Sequence, residues 1–351
     1  MQHELLETLR CPVTKTQLRL EIILEKSRSY EGGEIMVVEE GILFSEHLWF
    51  YPIINGIPRL CIESFLDNRD FFKQHMPDFN TREKAIRDNF RGLLNFVIKK
   101  NKRTKKSFSN EWKLFNYETD KTWDADAGEM TERFLQETGE QLPTLQKMFV
   151  FDAGCGNGKL NGLLGAAGVR NLGMDFSNSV EAADRNNTSA NTHFIQGDVQ
   201  FPPVASAHFD LVHSSGVLIA TNNTELSFSC LTPTVKPGGK ISIWLYSPRK
   251  NFVHNLFNFI RHYTSKMPLW LQRVIYLATI FPVSYCIKKL KGNPQNPREM
   301  MVDILDWFSP EFRWEHTKDE ATSWFPKRGF SDVSITTTNA FGYNITGVKK
   351  A

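Results

Sequence analysis

The sequence predicts an α/β protein: a doubly wound, mostly parallel sheet with a small β-rich module ahead of it and a helical insertion near its end. Two observations carry this. From Met148 onward, short apolar runs suited to a sheet buried on both faces alternate with helical stretches, which makes βαβ units. The first of those runs ends in the glycine-rich turn FDAGCGNGKL, as a strand does when it feeds a helix beside a ligand. Composition agrees: 351 residues, 41% hydrophobic and 23% charged, can bury a sizeable core.

Taken in order, residues 1–65 form the β-rich module. HELLETLR is a short helical start, a Cys-Pro turn follows, and LRLEIILE and EIMVVEEGILF alternate like strands. YPIINGIPRL closes the module, with Asn55-Gly56 as its turn. Residues 66–147 are mainly helical and polar. They carry a basic run (Lys99, Lys100, Lys102, Arg103, Lys105, Lys106) that reads as a solvated linker or helix face. Residues 148–351 hold the sheet. MFVFDAG, VRNLGMDFS, THFIQGDV, FDLVHSSG and GKISIWLYS are its first five strands. A helical cap interrupts at 250–310, DEATSWFPKRGF is a helix, and SDVSITTT and YNITGVKK pair antiparallel at the sheet's end.

Several classes are disfavoured. A net charge of +3 is too mild for nucleic-acid binding by the whole chain. Five cysteines at 11, 61, 155, 230 and 286 make no C-x-x-C pair, so neither a zinc ribbon nor a disulfide framework is expected. MQHELLETLR lacks an apolar signal core, and Val274–Ile287 is shorter than a membrane span and contains Pro282. These features point to a reducing cytoplasm, with peripheral membrane contact left open.

The chemistry gathers at the strand ends. Asp152, Gly154, Gly156 and Gly158 form a turn whose glycines let the backbone approach a nucleotide-like ligand. Asp175, followed by Phe176, ends the second strand, where an acid reaches ribose hydroxyls. Asp198 follows the third strand, where a carboxylate can accept from an adenine amino group. Ser214 and Ser215 end the fourth. The spacing is G-x-G-x-G, not G-x-G-x-x-G, and an acid stands two residues before the first glycine. That acid would repel a pyrophosphate but suits the cationic amino end of S-adenosylmethionine.

FDAGCGNGKL, GMDFS, GDV, FDLVHSSGVL and VKPGGKISIWLY resemble the successive motifs of class I S-adenosylmethionine-dependent methyltransferases of the type 11 group. The resemblance covers 148–249 strongly and 317–351 more loosely, and it implies a Rossmann-like methyltransferase sheet. It places Asp152, Gly154, Gly156 and Gly158 around the methionine part, Asp175 on ribose, and Asp198 with Val199 on adenine. LLETLRCPVTKTQLRL and YPIINGIPRL are similar to a Trm112-like domain. Zinc-bearing relatives of that module hold paired cysteines; only Cys11 and Cys61 remain here, so no metal is expected. Members of the group commonly carry two histidines where Ile219 and Ala220 stand. His213, Tyr246 and His254 are then the candidates for moving a proton. An aromatic segment with Trp112, Phe115, Tyr117 and Trp123 is expected to enclose the acceptor.

The insertion is the most individual part. Arg249 to Lys291 holds eight basic residues and no acid, interleaved with aromatics, and reads as an amphipathic helical pair. A lid over the acceptor, an anionic membrane contact and subunit packing all fit it. The expected function is methyl transfer to an O or N atom of a small molecule, releasing S-adenosylhomocysteine. A sugar, a lipid-linked intermediate or a natural-product scaffold, anionic or lipid-linked, would be the acceptor. RNA methylation and a non-catalytic donor-binding scaffold are the alternatives; oligomeric state is not legible.

Overall fold

The computed structural model describes residues 1–114, 127–249, 252–293 and 295–351, with the side chains of 102–104, 106–114, 253 and 306 outside that description. The module is a four-stranded antiparallel sheet: β1 (Arg19–Tyr30), β2 (Gly33–Phe44), β3 (Phe50–Ile54) and β4 (Ile57–Pro58). Asn55 and Gly56, at φ 54° and 77°, make the two-residue left-handed turn between β3 and β4. Among the described residues six helices follow: α1 (Ser64–Asp67), α2 (Arg69–His75), α3 (Phe79–Asn89), α4 (Arg91–Leu114), α5 (Ala127–Thr138) and α6 (Leu142–Leu145).

The main sheet comprises β5 (Phe149–Ala153), β6 (Arg170–Asp175), β7 (Thr192–Gln196), β8 (Phe209–Ser215), β9 (Val235–Tyr246), β10 (Phe330–Thr338) and β11 (Gly342–Lys349). Its strand order is β10-β11-β9-β8-β5-β6-β7. Strands β5 to β9 run parallel, and every residue of β5 and β7 is buried, which is why these segments read as unbroken apolar runs. Helices α7 (Lys159–Ala166), α8 (Val180–Arg185) and α9 (Thr224–Leu231) make the crossovers. The two last strands pair antiparallel, as expected, but β11 does not lie outermost. It slots between β9 and β10, antiparallel to both.

The module's sheet is separate from this one but abuts its edge. Arg59 forms a parallel bridge with Gln196, and the Leu60 N–H donates to the Gln196 carbonyl at 2.7 Å, so β4 covers the open edge of β7. Arg28 pairs with Asp184 at 2.6 Å and Arg59 with Glu181 at 3.1 Å across the same seam. Trp49, Phe50, Phe65 and Phe72 of the N-terminal half belong to the same buried apolar cluster as Phe151, Phe209 and Ile243 of the sheet.

The two cysteines of the module are buried. Cys11 Sγ lies 3.3 Å from the Tyr51 hydroxyl, and burial pushes the Cys61 thiol well up. Zinc ligation needs thiolates, which this apolar setting disfavours. Purified protein is therefore expected to melt at the same temperature with and without a chelator; a chelator-induced drop of several degrees would show a structural metal.

The insertion builds four helices, not a pair: α10 (Phe252–Thr264), α11 (Leu269–Ala278), α12 (Ile280–Leu290) and α13 (Pro297–Phe308), before α14 (Lys318–Lys327). Pro268 separates α10 from α11, a 48° bend separates α11 from α12, and α13 starts afresh from an Asn296/Glu299 capping box with Pro297 in its first turn. Tyr276, Ile304, Leu305 and Phe308 give the cap a small core of its own.

Candidate active site

A cavity of about 230 Å³ opens at the carboxyl ends of β5, β6, β7 and β8, where the strand order reverses. Its floor is the glycine turn. Gly154 sits at φ +107°, and a Cβ there would stand 2.1 Å from Val217 Cγ2. Gly154 and Cys155 both donate their N–H groups to the Met174 carbonyl, which ties the turn to β6.

Asp175 stands at the tip of β6. Its carboxylate accepts from the Gly156 N–H at 3.0 Å, the Ser177 N–H at 2.8 Å and the Ser177 hydroxyl at 2.7 Å. Burial raises its pKa, and those donors only partly offset the rise. Phe176 lines the cavity beside it. Beyond β7, Asp198 and Val199 also line it. Asp198 accepts from Lys100 Nζ at 2.6 Å and from the Gln200 N–H at 2.9 Å.

The densest charge lies under the glycine turn. Parallel register sets His213 of β8 directly beside Asp152 of β5. The imidazole bonds Asp152 at 3.2 Å through Nδ1 and Glu137 of α5 at 2.9 Å through Nε2, with all three side chains buried. Burial alone would push His213 down; hydrogen bonds and charge attraction from Asp152 and Glu137 outweigh it and leave the pKa at about 9. Two carboxylates and one imidazolium leave a net negative charge beside the turn. Phe134 closes the cluster edge-on, 4.9 Å from the imidazole centroid.

The structure brings together Asp152, Gly154, Gly156, Asp175, Phe176, Asp198, Val199, His213 and Ser215 around this one cavity. Gly158 stands outside the lining: its φ of +70° caps α7 and its missing Cβ makes room for Phe194 and Ala183. Ser214 stands outside it too, fully buried and donating to the Ala153 carbonyl at 2.7 Å. Tyr246, the last residue of β9, and His254 of α10 are placed elsewhere. The Arg313 guanidinium lies 4.1 Å from the ring centroids of both Tyr246 and Trp307, and His254 pairs with Glu315 at 2.7 Å. Neither lines the cavity. Phe115, Tyr117, Trp123 and the Trp112 side chain lie outside the described residues. Ile219 is core, whereas Ala220 lines the cavity.

Two further expectations change. Among the described residues none of α10 to α13 lines the cavity; the nearest contribution from that stretch is Phe312, beyond the cap. The basic run is not simply solvated: Lys100 is committed to Asp198, and Lys105 to Asp67 at 2.5 Å and Glu63 at 3.7 Å. Sequence reasoning missed Lys100 and a whole helix face. Met130, Arg133, Phe134 and Glu137 of α5 all line the cavity, at the i, i+3, i+4, i+7 spacing that marks one face of a helix.

A family model described as a methyltransferase domain matches residues 151–243. A malonyl-[acyl-carrier protein] O-methyltransferase of Enterobacter lignolyticus is 29% identical over 114 residues, 32% of this chain and 45% of that protein. An O-methyltransferase of Aspergillus nomiae is 26% identical over 119 residues, 32% and 53% of the respective chains. The chain thus spans about half the length of the curated relatives it matches. Among solved structures, magnesium protoporphyrin IX methyltransferase of Synechocystis PCC 6803 with bound SAH aligns over 71% of this chain and 98% of that one, at 15% identity and a TM-score of 0.40. The matched stretch runs from β5 into β9, is similar to a methyltransferase domain, and carries most of the crevice.

Proposed function

We propose that the protein transfers a methyl group from S-adenosylmethionine to an oxygen or nitrogen of a small, anionic or lipid-linked acceptor in the cytoplasm. The single observation that carries this is the charge pattern of the cavity. The anionic Asp152–His213–Glu137 cluster lies beside the glycine turn, and Asp175 and Asp198 stand at the next two strand ends, all around one space. In this reading the cluster and turn hold the methionine end, Asp175 holds the ribose, and Asp198 with Val199 holds the adenine. The bound donor supplies an activated methyl on a sulfonium; the protein supplies position and shelter from water.

The chain's own groups say something about the acceptor. His213, with a pKa of about 9, holds its proton at neutral pH and cannot serve as a base there. Tyr246 and His254 are engaged elsewhere. An acceptor atom that is nucleophilic without help, such as a carboxylate oxygen, fits this site best, and the O-methyl transfer named for both relatives supports oxygen. RNA is less favoured because Lys100 and Lys105 are spent on internal acids. The N-terminal module is read as Trm112-like, fused in the same chain as its catalytic partner.

Calorimetry with S-adenosylhomocysteine, followed by methyl-tritiated donor and cell extract, tests the reading. Binding plus a labelled small molecule is expected. No detectable binding would sink the site assignment, label in RNA would select the RNA reading, and binding without labelled product would select a donor-binding scaffold.

A further inference from the structure

The cap leaves an apolar surface uncovered, and its pattern is regular. On α10, Phe252, Leu256 and Phe259 are exposed; on α11, Trp270, Val274 and Leu277; on α12, Val283, Ile287 and Leu290. Each set follows i, i+4, i+7, the spacing of one helix face. The opposite faces meet the cap's own core through Phe257, Tyr276 and Phe281. Phe252, Trp270 and Leu290 are 79%, 68% and 88% exposed, far beyond the scattered apolar residues of an ordinary surface.

Charge decides what covers these stripes. The chain has 39 acids in 351 residues, yet none falls between Arg249 and Lys291, where eight basic residues do. Lys266 and Lys291 are exposed and Arg273 half-exposed, among the apolar stripes. A second copy docked about a twofold axis would set this basic patch against itself, which like charges oppose. Helices of 13, 10 and 11 residues reach only about 15–20 Å, short of a hydrocarbon core of roughly 30 Å, and no single described helix is long and apolar enough to cross a membrane. α11 and α12 reach spanning length and apolarity only as a pair bent by 48°, a break that suits helices lying in an interface.

We propose that α10, α11 and α12 dock on the surface of an anionic lipid bilayer, with the aromatic and aliphatic stripes at the acyl boundary and Lys266, Arg273 and Lys291 among the headgroups. No described residue of these helices lines the donor cavity, so the proposal does not depend on the methyl-transfer reading.

The test is flotation of the full chain with vesicles of phosphatidylcholine alone or with phosphatidylserine added. Flotation is expected with the anionic vesicles, weakening as salt is raised. Combining Phe259→Ser, Trp270→Ser and Leu290→Ser should cut vesicle affinity at least about tenfold with the melting temperature held, since all three side chains are exposed. Combining Lys266→Gln, Arg273→Gln and Lys291→Gln should remove the preference for phosphatidylserine. Failure to float with either vesicle would overturn the proposal, as would a serine variant that floats like the wild type. A dimer in sedimentation velocity that the serine variant abolishes, without flotation, would overturn it in favour of a second copy.

Discussion

Replacing His213 with leucine is expected to destabilise the fold by roughly 3–5 kcal/mol at neutral pH, because Asp152 and Glu137 would be left as buried carboxylates with no cation between them. Leucine fills much of the ring's space against Phe134, so the loss would report charge more than cavity. The pH dependence gives the signature. The folded pKa of about 9 lies above the ordinary value of 6.5, so the stabilisation is complete below about pH 6.5 and fades as pH rises through 9. Urea denaturation at pH 6, 7.5 and 9 should show the wild type losing that increment, and the variant lacking it. Equal denaturation midpoints for the two proteins at pH 7 would disprove the buried ion cluster.

Asp175→Ala should weaken S-adenosylhomocysteine binding by roughly 1.5–3 kcal/mol, about ten- to more than a hundredfold in dissociation constant. Two effects combine. The ribose hydroxyls lose a charged acceptor, and the Gly156 and Ser177 N–H groups lose the carboxylate that holds the turn against β6. Calorimetry checks the first effect, and ligand-free melting separates the second. Unchanged affinity would remove Asp175 from the site.

Local signals were legible and tertiary ones were not. The five parallel strands show in the sequence because most of their residues are buried, β5 and β7 entirely, and the glycine turn shows because Gly154 cannot carry a Cβ beside Val217. The acids at 152, 175 and 198 follow from strand ends alone. The insertion of β11 between β9 and β10 depends on which edge a hairpin enters, and nothing local records that. Lys100 read as solvated because its partner, Asp198, lies 98 positions away. The α5 face had visible periodicity, but periodicity does not say which wall a face lines. Tyr246 and His254 sit where a strand end leads toward a site, yet the chain bends to Arg313 and Glu315 instead.

The joining of β4 to β7 has a consequence for how long the protein lasts. Beyond that edge, Asp198 is gripped by Lys100 of α4, and Asn101 reaches both Asp198 and Glu63 at the end of the module. Whatever occupies the Asp198 end of the cavity thus bears on the N-terminal fold as well as on the sheet. A ligand at a hundred times its dissociation constant adds about 2.7 kcal/mol to the folded state, and here that increment would be shared across the seam. Proteolysis of the chain with and without S-adenosylhomocysteine would then slow in both parts together, the module as well as the sheet.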